Sequence, residues 1–222
     1  MNLLRGKVEG DKLFFAVGNH MFPKSRYSIG LQLIDHIARK AKSRWFLDKN
    51  SFAHVTMVGT SILARPITYI VKENYRSLDA LIKNYKLKLD NITVLTYSSK
   101  MQLGSAKLVF GSSTHEHDAL QPISECLQTE DYKCLEIGTM QPDYLFYDPD
   151  VLTSHDIQRA EIQQFFLANK FNEDEQFALE QFLLSKIEET LDSTNQEKGC
   201  SYTYHQVMKT VEKLRLKQSI TN

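Results

Sequence analysis

The stretch LFFAVGNHMFPKSRYSIGLQLIDHIA, residues 13–38, indicates the fold class of this chain. Leu13 to Val17 is a short apolar run that ends at Gly18-Asn19, which is typical of a buried strand followed by a turn. From Ile29 to Ala38 the apolar residues recur with the spacing of one helical face. A strand, a turn and a helix in this order predict the opening of an α/β domain.

The alternation of strands and helices continues beyond this opening. Runs of apolar and β-branched residues predict five further strands, at 53–58, 61–64, 91–96, 105–110 and 134–139. Helical periodicity predicts helices at 75–85, 157–167, 175–191 and 202–216. Asp118 is predicted to be the N-cap of a further helix that runs through Leu127. The pattern therefore predicts a single α/β domain with five or six strands and a helical C-terminal third.

The composition of the chain argues against several classes of partner. Among the 222 residues, 27 Lys+Arg balance 27 Asp+Glu, so there is no global electrostatic attraction to nucleic acid or to an anionic membrane. No apolar run approaches the roughly 20 residues of a membrane-spanning helix, and the amino terminus lacks the features of a targeting signal. The cysteines form no C-x-x-C pair, which favours reduced thiols. We expect an intracellular protein, in the cytosol or nucleus, with the mitochondrion as the alternative.

Four consecutive residues, His115-Glu116-His117-Asp118, have side chains suited to a metal site or to acid/base chemistry. Zinc-binding helices place two histidines four residues apart, whereas an H-x-H pair on a strand or loop needs a third ligand from elsewhere. The residue types therefore fit a metal site, but their spacing does not identify one.

Five segments, taken in order, carry a resemblance to a known family: LFFAVGN (13–19), SRYS (25–28) before Gly30, RPITY (65–69), GSSTHEHDAL (111–120) and CLEIG (134–138). They resemble, respectively, the first strand with its G-x-x-N-P-G turn, the T-R-H-N-x-G signature, the P-T-T-[FY]-M-N segment, a glycine-rich loop and the R-I-G-I-G strand of bacterial-type peptidyl-tRNA hydrolases. These enzymes cleave the ester between a peptide and its tRNA. The resemblance implies one domain over 1–222, with a mixed, twisted central sheet flanked by helices and an insertion near 144–159.

The family's reaction uses a histidine that activates water, an aspartate that orients it, and asparagine amides that hold the peptide and the oxyanion. The resemblance puts Tyr27 at the histidine position, Tyr97 at the aspartate position, and Val71 and Asp118 at two asparagine positions. Asn19 keeps its family identity. His117 matches a histidine of the glycine-rich loop, so we predict neither a metal nor a cofactor.

These substitutions lead to the prediction of a pseudoenzyme, a catalytically inactive protein that serves as a protein-binding or scaffold subunit. Its partner is expected to contact aromatic side chains of the insertion, Tyr144, Phe146 and Tyr147, because aromatic residues on loops suit interfaces. One alternative is an RNA-binding factor of splicing or translation, although Glu136 stands where the family offers an arginine to phosphate. The other is a working hydrolase with a rearranged site, in which His20 activates water and the Asp118 carboxylate orients the His20 ring.

Overall fold

A seven-stranded sheet forms the centre of the computed structural model, which describes residues 12–110, 117–139 and 171–192, with residues 209, 212 and 213. The strands are β1 (Lys12–Ala16), β2 (Phe46–Asp48), β3 (Ala53–Val58), β4 (Ser61–Pro66), β5 (Ile92–Ser98), β6 (Ala106–Phe110) and β7 (Lys133–Gly138). The longer helices are α1 (Ile29–Lys40), α2 (Asn74–Tyr85), α3 (Leu120–Leu127), α4 (Glu173–Ala178) and α5 (Leu184–Asp192). A π-helical turn, Leu179–Leu183, joins α4 to α5.

The sheet is mixed, as predicted, in the order β2-β3-β4-β1-β5-β7-β6. Strands β4, β1, β5 and β7 run parallel, whereas β2, β3 and β6 join them in antiparallel pairs. The carboxyl ends of the parallel strands therefore meet at one edge of the sheet. The loops that leave this edge are the usual position of a binding site in α/β proteins.

Helix α1 packs on the central strands with the apolar face that its periodicity predicts. Ile29, Leu33 and Ile34 are fully buried, and burial of each such side chain stabilises the fold by about 1.5–3 kcal/mol. Gly30 allows the close approach of α1 to β5, because a Cβ atom there would lie 2.8 Å from the Leu95 carbonyl oxygen. The loop that precedes α1 is thereby held against the carboxyl edge of the sheet.

The structure corrects two local predictions. Strand β2 (Phe46–Asp48) was not predicted, because three residues at a sheet edge are too few to show a period. Asp118 is not the N-cap of α3: the helix begins at Leu120, its N-cap is Ala119, and no side chain caps it. At the start of α3 the backbone N–H of Leu120 instead donates to the carbonyl oxygen of His117 at 2.9 Å.

The predicted C-terminal helix is described over Glu173–Asp192, where it includes the π-helical turn. Its first turn is closed by a capping box, in which the Asn172 side chain accepts the Glu175 N–H at 2.8 Å and Glu175 Oε2 accepts the Asn172 N–H at 2.9 Å. The predicted helix 157–167, the insertion and most of 202–216 lie outside the described residues, and the extent of the domain stays a prediction. Within the described segments, no helix is long and apolar enough to cross a membrane.

Candidate functional site

The residues that the resemblance singled out lie in the loops at the carboxyl edge of the parallel strands or next to them. Asn19 follows β1, and Tyr27 lies in the 3-10 turn Arg26–Ser28 before α1. Val71 begins a 3-10 turn after β4, Tyr97 is close to the end of β5, and Asp118 precedes α3. The site is therefore assembled from four separate parts of the chain.

Three of these side chains form a buried aromatic cluster, composed of Tyr27, Tyr97 and His117. The ring centroids of Tyr27 and His117 lie 4.1 Å apart, and that of Tyr97 lies 5.3 Å from Tyr27 and 5.4 Å from His117. Each residue is at most 2% exposed. The structure thus joins the two predicted tyrosines to a histidine from the glycine-rich-loop position.

His117 is held as a neutral imidazole with a defined tautomer. Its Nδ1 atom accepts the backbone N–H of Ala119 at 3.1 Å, so the ring proton of the neutral form is on Nε2. Burial lowers the pKa of His117 from 6.5 to about 3. The buried Nε2 atom carries this proton, so His117 is an N–H donor, and a hydrogen bond to the Tyr27 backbone partly offsets the effect of burial on its pKa.

Tyr27 supplies a second neutral donor. Burial is the main cause that raises its pKa well above 10, and the charge of the nearby Asp118 carboxylate raises it further. The Tyr27 hydroxyl is buried, and a hydrogen bond with the Asp118 side chain also raises its pKa. Asp118 itself is only half-buried. The cluster therefore presents two neutral donors beside one carboxylate.

The turn after β1 is fixed by polar contacts at Asn19. The Asn19 N–H donates to Ser28 Oγ at 3.0 Å, and Asn19 Oδ1 accepts the Met21 N–H at 2.9 Å. The preceding Gly18 N–H donates to Oδ1 of Asn74, which is fully buried at the start of α2. Asn74 was not singled out from the sequence, although a polar residue on an apolar helix face can indicate a buried hydrogen-bonding role.

Arg26 was also missed, although it lies in the SRYS motif. Its Nη1 donates to the Thr139 carbonyl oxygen at 2.8 Å, and its Nη2 forms an ion pair with the buried carboxylate of Glu175. The guanidinium also lies over the Phe171 ring, 4.6 Å from its centroid. Arg26 therefore ties the turn that carries Tyr27 to the end of β7 and to α4.

His20 is partly exposed, and the ring beside it is that of His54 on β3, with centroids 6.0 Å apart. Asp118, which the rearranged-site hypothesis pairs with His20, lies beside Tyr27. Val71 is 9% exposed and has no polar side-chain atom. Glu136 is buried on β7, opposite Lys107 of β6.

The metal hypothesis gains no support from the described residues. In ranges 12–110, 117–139 and 171–192, no group of three or more His, Cys, Asp and Glu side chains could hold a metal ion. His115 and Glu116 lie outside these ranges, as do the proposed partner contacts Tyr144, Phe146 and Tyr147. A partner at those aromatic residues stays a prediction.

The buried state of His117 predicts how stability depends on pH. The unfolded chain takes up a proton on this side chain near pH 6.5, whereas the folded protein does so only near pH 3. The contribution is complete above about pH 6.5 and declines by about 1.4 kcal/mol per pH unit as the pH falls below it. We expect urea unfolding to show this slope between about pH 6.5 and 5, and His117→Gln to reduce it. An equal slope in the variant would contradict the neutral, buried assignment.

Comparison with known proteins finds one matching family model and individual relatives with similar sequences. The family model described as peptidyl-tRNA hydrolase matches residues 13–215. A peptidyl-tRNA hydrolase of Mycoplasmopsis pulmonis (strain UAB CTIP) is 31% identical over 137 residues, which cover 60% of this chain and 72% of that relative. One of Sulfurihydrogenibium sp. (strain YO3AOP1) is 23% identical over 176 residues, covering 78% and 85%.

Solved structures show the same fold. The crystal structure of peptidyl-tRNA hydrolase from Acinetobacter baumannii superposes with a TM-score of 0.62 at 17% identity, covering 82% of this chain and 89% of that one. The predicted α/β fold is confirmed. The prediction that this chain is not an enzyme is wrong, because the relatives and structural neighbours are hydrolases. Substitution at the family's site positions does not by itself establish a loss of activity, because other side chains can supply a base or an oxyanion donor.

Proposed function

The chain belongs to the peptidyl-tRNA hydrolase family, and we propose that it hydrolyses the ester between a peptide and the terminal ribose of tRNA. One observation carries this proposal: the buried polar atoms Tyr27 Oη and His117 Nε2 belong to adjoining rings, and the Asp118 carboxylate lies close enough to Tyr27 to raise its pKa. Grouped side chains with perturbed pKa values are reasonable markers of a functional site.

The arrangement supplies the two functions that ester hydrolysis requires. Asp118 accepts a proton from water as the water oxygen bonds to the ester carbonyl carbon. Tyr27 and His117 donate to the carbonyl oxygen as it becomes negative. The ester bond then breaks, and the proton on Asp118 passes to the departing ribose oxygen.

Asp118 is the base in this proposal because its neighbours are donors. Burial keeps Tyr27 protonated and His117 neutral, with the proton of the His117 ring on Nε2. Neither side chain is therefore an effective general base at neutral pH. The hypothesis that His20 activates water remains the alternative, and substitutions at the two positions distinguish them.

The first experiment is a single-turnover assay with the full-length protein in excess over N-acetyl-phenylalanyl-tRNA. We expect release of N-acetylphenylalanine well above the uncatalysed rate, because the site offers both a base and oxyanion donors. Inactivated protein gives the background rate, and a bacterial peptidyl-tRNA hydrolase shows that the substrate is intact. The proposal fails if saturating protein leaves the ester as stable as the background while the bacterial enzyme cleaves it.

A further inference from the structure

We propose that His20, His54 and Arg65 form a phosphate-binding site beside the ester-cleaving site, and that it holds the phosphate of the tRNA's terminal nucleotide. This inference rests on the proposed function. His54 on β3 and Arg65 on β4 are direct partners in the antiparallel register, so their side chains lie on the same face of the sheet. His20 follows Asn19 directly, at the carboxyl edge of β1.

The guanidinium of Arg65 is fixed in place by two neighbours. Its Nη1 donates to both carboxylate oxygens of Asp35 at 2.8 Å, and its planar group lies over the Trp45 ring, 4.6 Å from the centroid. Such anchoring removes much of the conformational freedom that an arginine would otherwise lose on binding a ligand. Arg65 is therefore a preorganised positive charge.

The two imidazoles complete the site. Their ring centroids are 6.0 Å apart with an interplanar angle of 32°, so the two rings are close enough for one small oxyanion to contact both. Both histidines are partly exposed, so a ligand can approach from solvent. In the described segments, the buried atoms His54 Nδ1 and Arg65 Nε have no hydrogen-bond partner.

Electrostatics favours an anion over a metal cation at this position. Burial lowers the pKa of His54, and the charges of Arg65 and His20 lower it further. Asp35 is already paired with Arg65 and is also close to the positive charge of Arg39. A divalent cation would be repelled by Arg65, and no third metal ligand accompanies the histidines among the described residues. An anion is attracted by Arg65, whose charge Asp35 partly offsets, and it can accept hydrogen bonds from the imidazole N–H groups.

The chemistry of the substrate identifies a phosphate as this anion. The scissile ester joins the peptide to the last ribose of tRNA, and the same nucleoside carries a phosphate on its 5′ oxygen. His20 is adjacent in sequence to Asn19 and therefore adjoins the turn that borders the proposed ester site. In this proposal, a peptidyl-tRNA end that contacts both sites has its ester at the aromatic cluster and its nearest phosphate at the pair His20 and His54.

Nuclear magnetic resonance of the histidine rings in the full-length protein tests this site without any need for hydrolysis. The probes are the trinucleotide CCA, inorganic phosphate, and adenosine, which lacks phosphate. We expect CCA and phosphate to shift the His20 and His54 signals and to raise their titration midpoints, with little effect of adenosine. His36, which lies on α1 against Ser185 of α5, serves as the unresponsive histidine.

Substitutions give the matching affinity test. His20→Gln and His54→Gln should each weaken CCA binding by about three- to tenfold near pH 6, and His36→Gln should leave it unchanged. In the hydrolysis assay, His20→Gln should raise KM and leave kcat nearly unaltered, whereas a catalytic base would lose kcat.

Three outcomes overturn the phosphate site: no response of His20 and His54 to CCA or phosphate, an equal response to adenosine, or a response to Zn²⁺ alone. Failure of the proposed function is a separate result. Histidine signals that respond to CCA in a protein without esterase activity would retain the phosphate site and reject hydrolysis. Hydrolysis without any response of the histidine signals would support the proposed function and reject the phosphate site.

Discussion

Replacing Asp118 by asparagine is expected to lower kcat for peptidyl-tRNA hydrolysis by about 10²- to 10⁴-fold. The change keeps the size of the side chain and removes its ability to take a proton from water. Tyr27 and His117 remain as donors, so binding of the substrate should change little. Single-turnover rates over a range of protein concentrations separate the rate of cleavage from affinity.

This substitution is informative because the family resemblance has asparagine at position 118. A loss of activity on restoring that asparagine would show that this chain depends on the carboxylate. Asp131→Asn, at an exposed position after α3, is the matched control and should keep full activity. Undiminished cleavage by Asp118→Asn, together with loss of kcat in His20→Ala, would instead identify His20 as the base.

Replacing Arg26 by methionine is expected to give the largest loss of stability, about 3–5 kcal/mol. The variant leaves the Glu175 carboxylate, which is 3% exposed, without its ion-pair partner. It also removes the bond to the Thr139 carbonyl oxygen and the contact with the Phe171 ring. At about 2–4 °C per kcal/mol for a chain of this size, Tm should fall by about 6–20 °C in a thermal unfolding scan.

The double variant Arg26→Met/Glu175→Gln separates the ion pair from simple packing. Since the unpaired buried charge causes most of the loss, removing it should restore a substantial part of Tm. Lys83→Met, which breaks an exposed pair with Asp79, is the surface control and should leave Tm unchanged. A single Arg26 variant as stable as the parent would show that the ion pair contributes nothing to the fold.

The elements of the fold were predictable where their residues repeat with a period. The apolar run at 13–17 and the helical face at 29–38 correspond to β1 and α1 within a residue or two at each end. The π-helical turn Leu179–Leu183 was not predictable, because it interrupts a helical pattern without changing the pattern's polarity. The periodicity of apolar residues shows which face of a helix a residue occupies. It does not show which backbone N–H bonds to which carbonyl.

The candidate site was predictable only in part. Order and spacing indicated that Tyr27, Tyr97 and Asp118 belong to one site, since each follows a recognisable segment. Their individual roles stay predictions, because comparison with the residue that each one replaces does not show how the side chains are arranged. His117, treated as a loop residue, is a buried donor 4.1 Å from the Tyr27 ring.

The sequence by itself determined the α/β class and the membership of the family, because local patterns and their order carry that information. Only the tertiary structure decided which polar groups are paired. Arg26 pairs with Glu175 across 149 positions of sequence, and one ring nitrogen of His117 accepts the Ala119 N–H. Such pairing depends on distances and burial that arise after the chain has folded, so no local pattern predicts it.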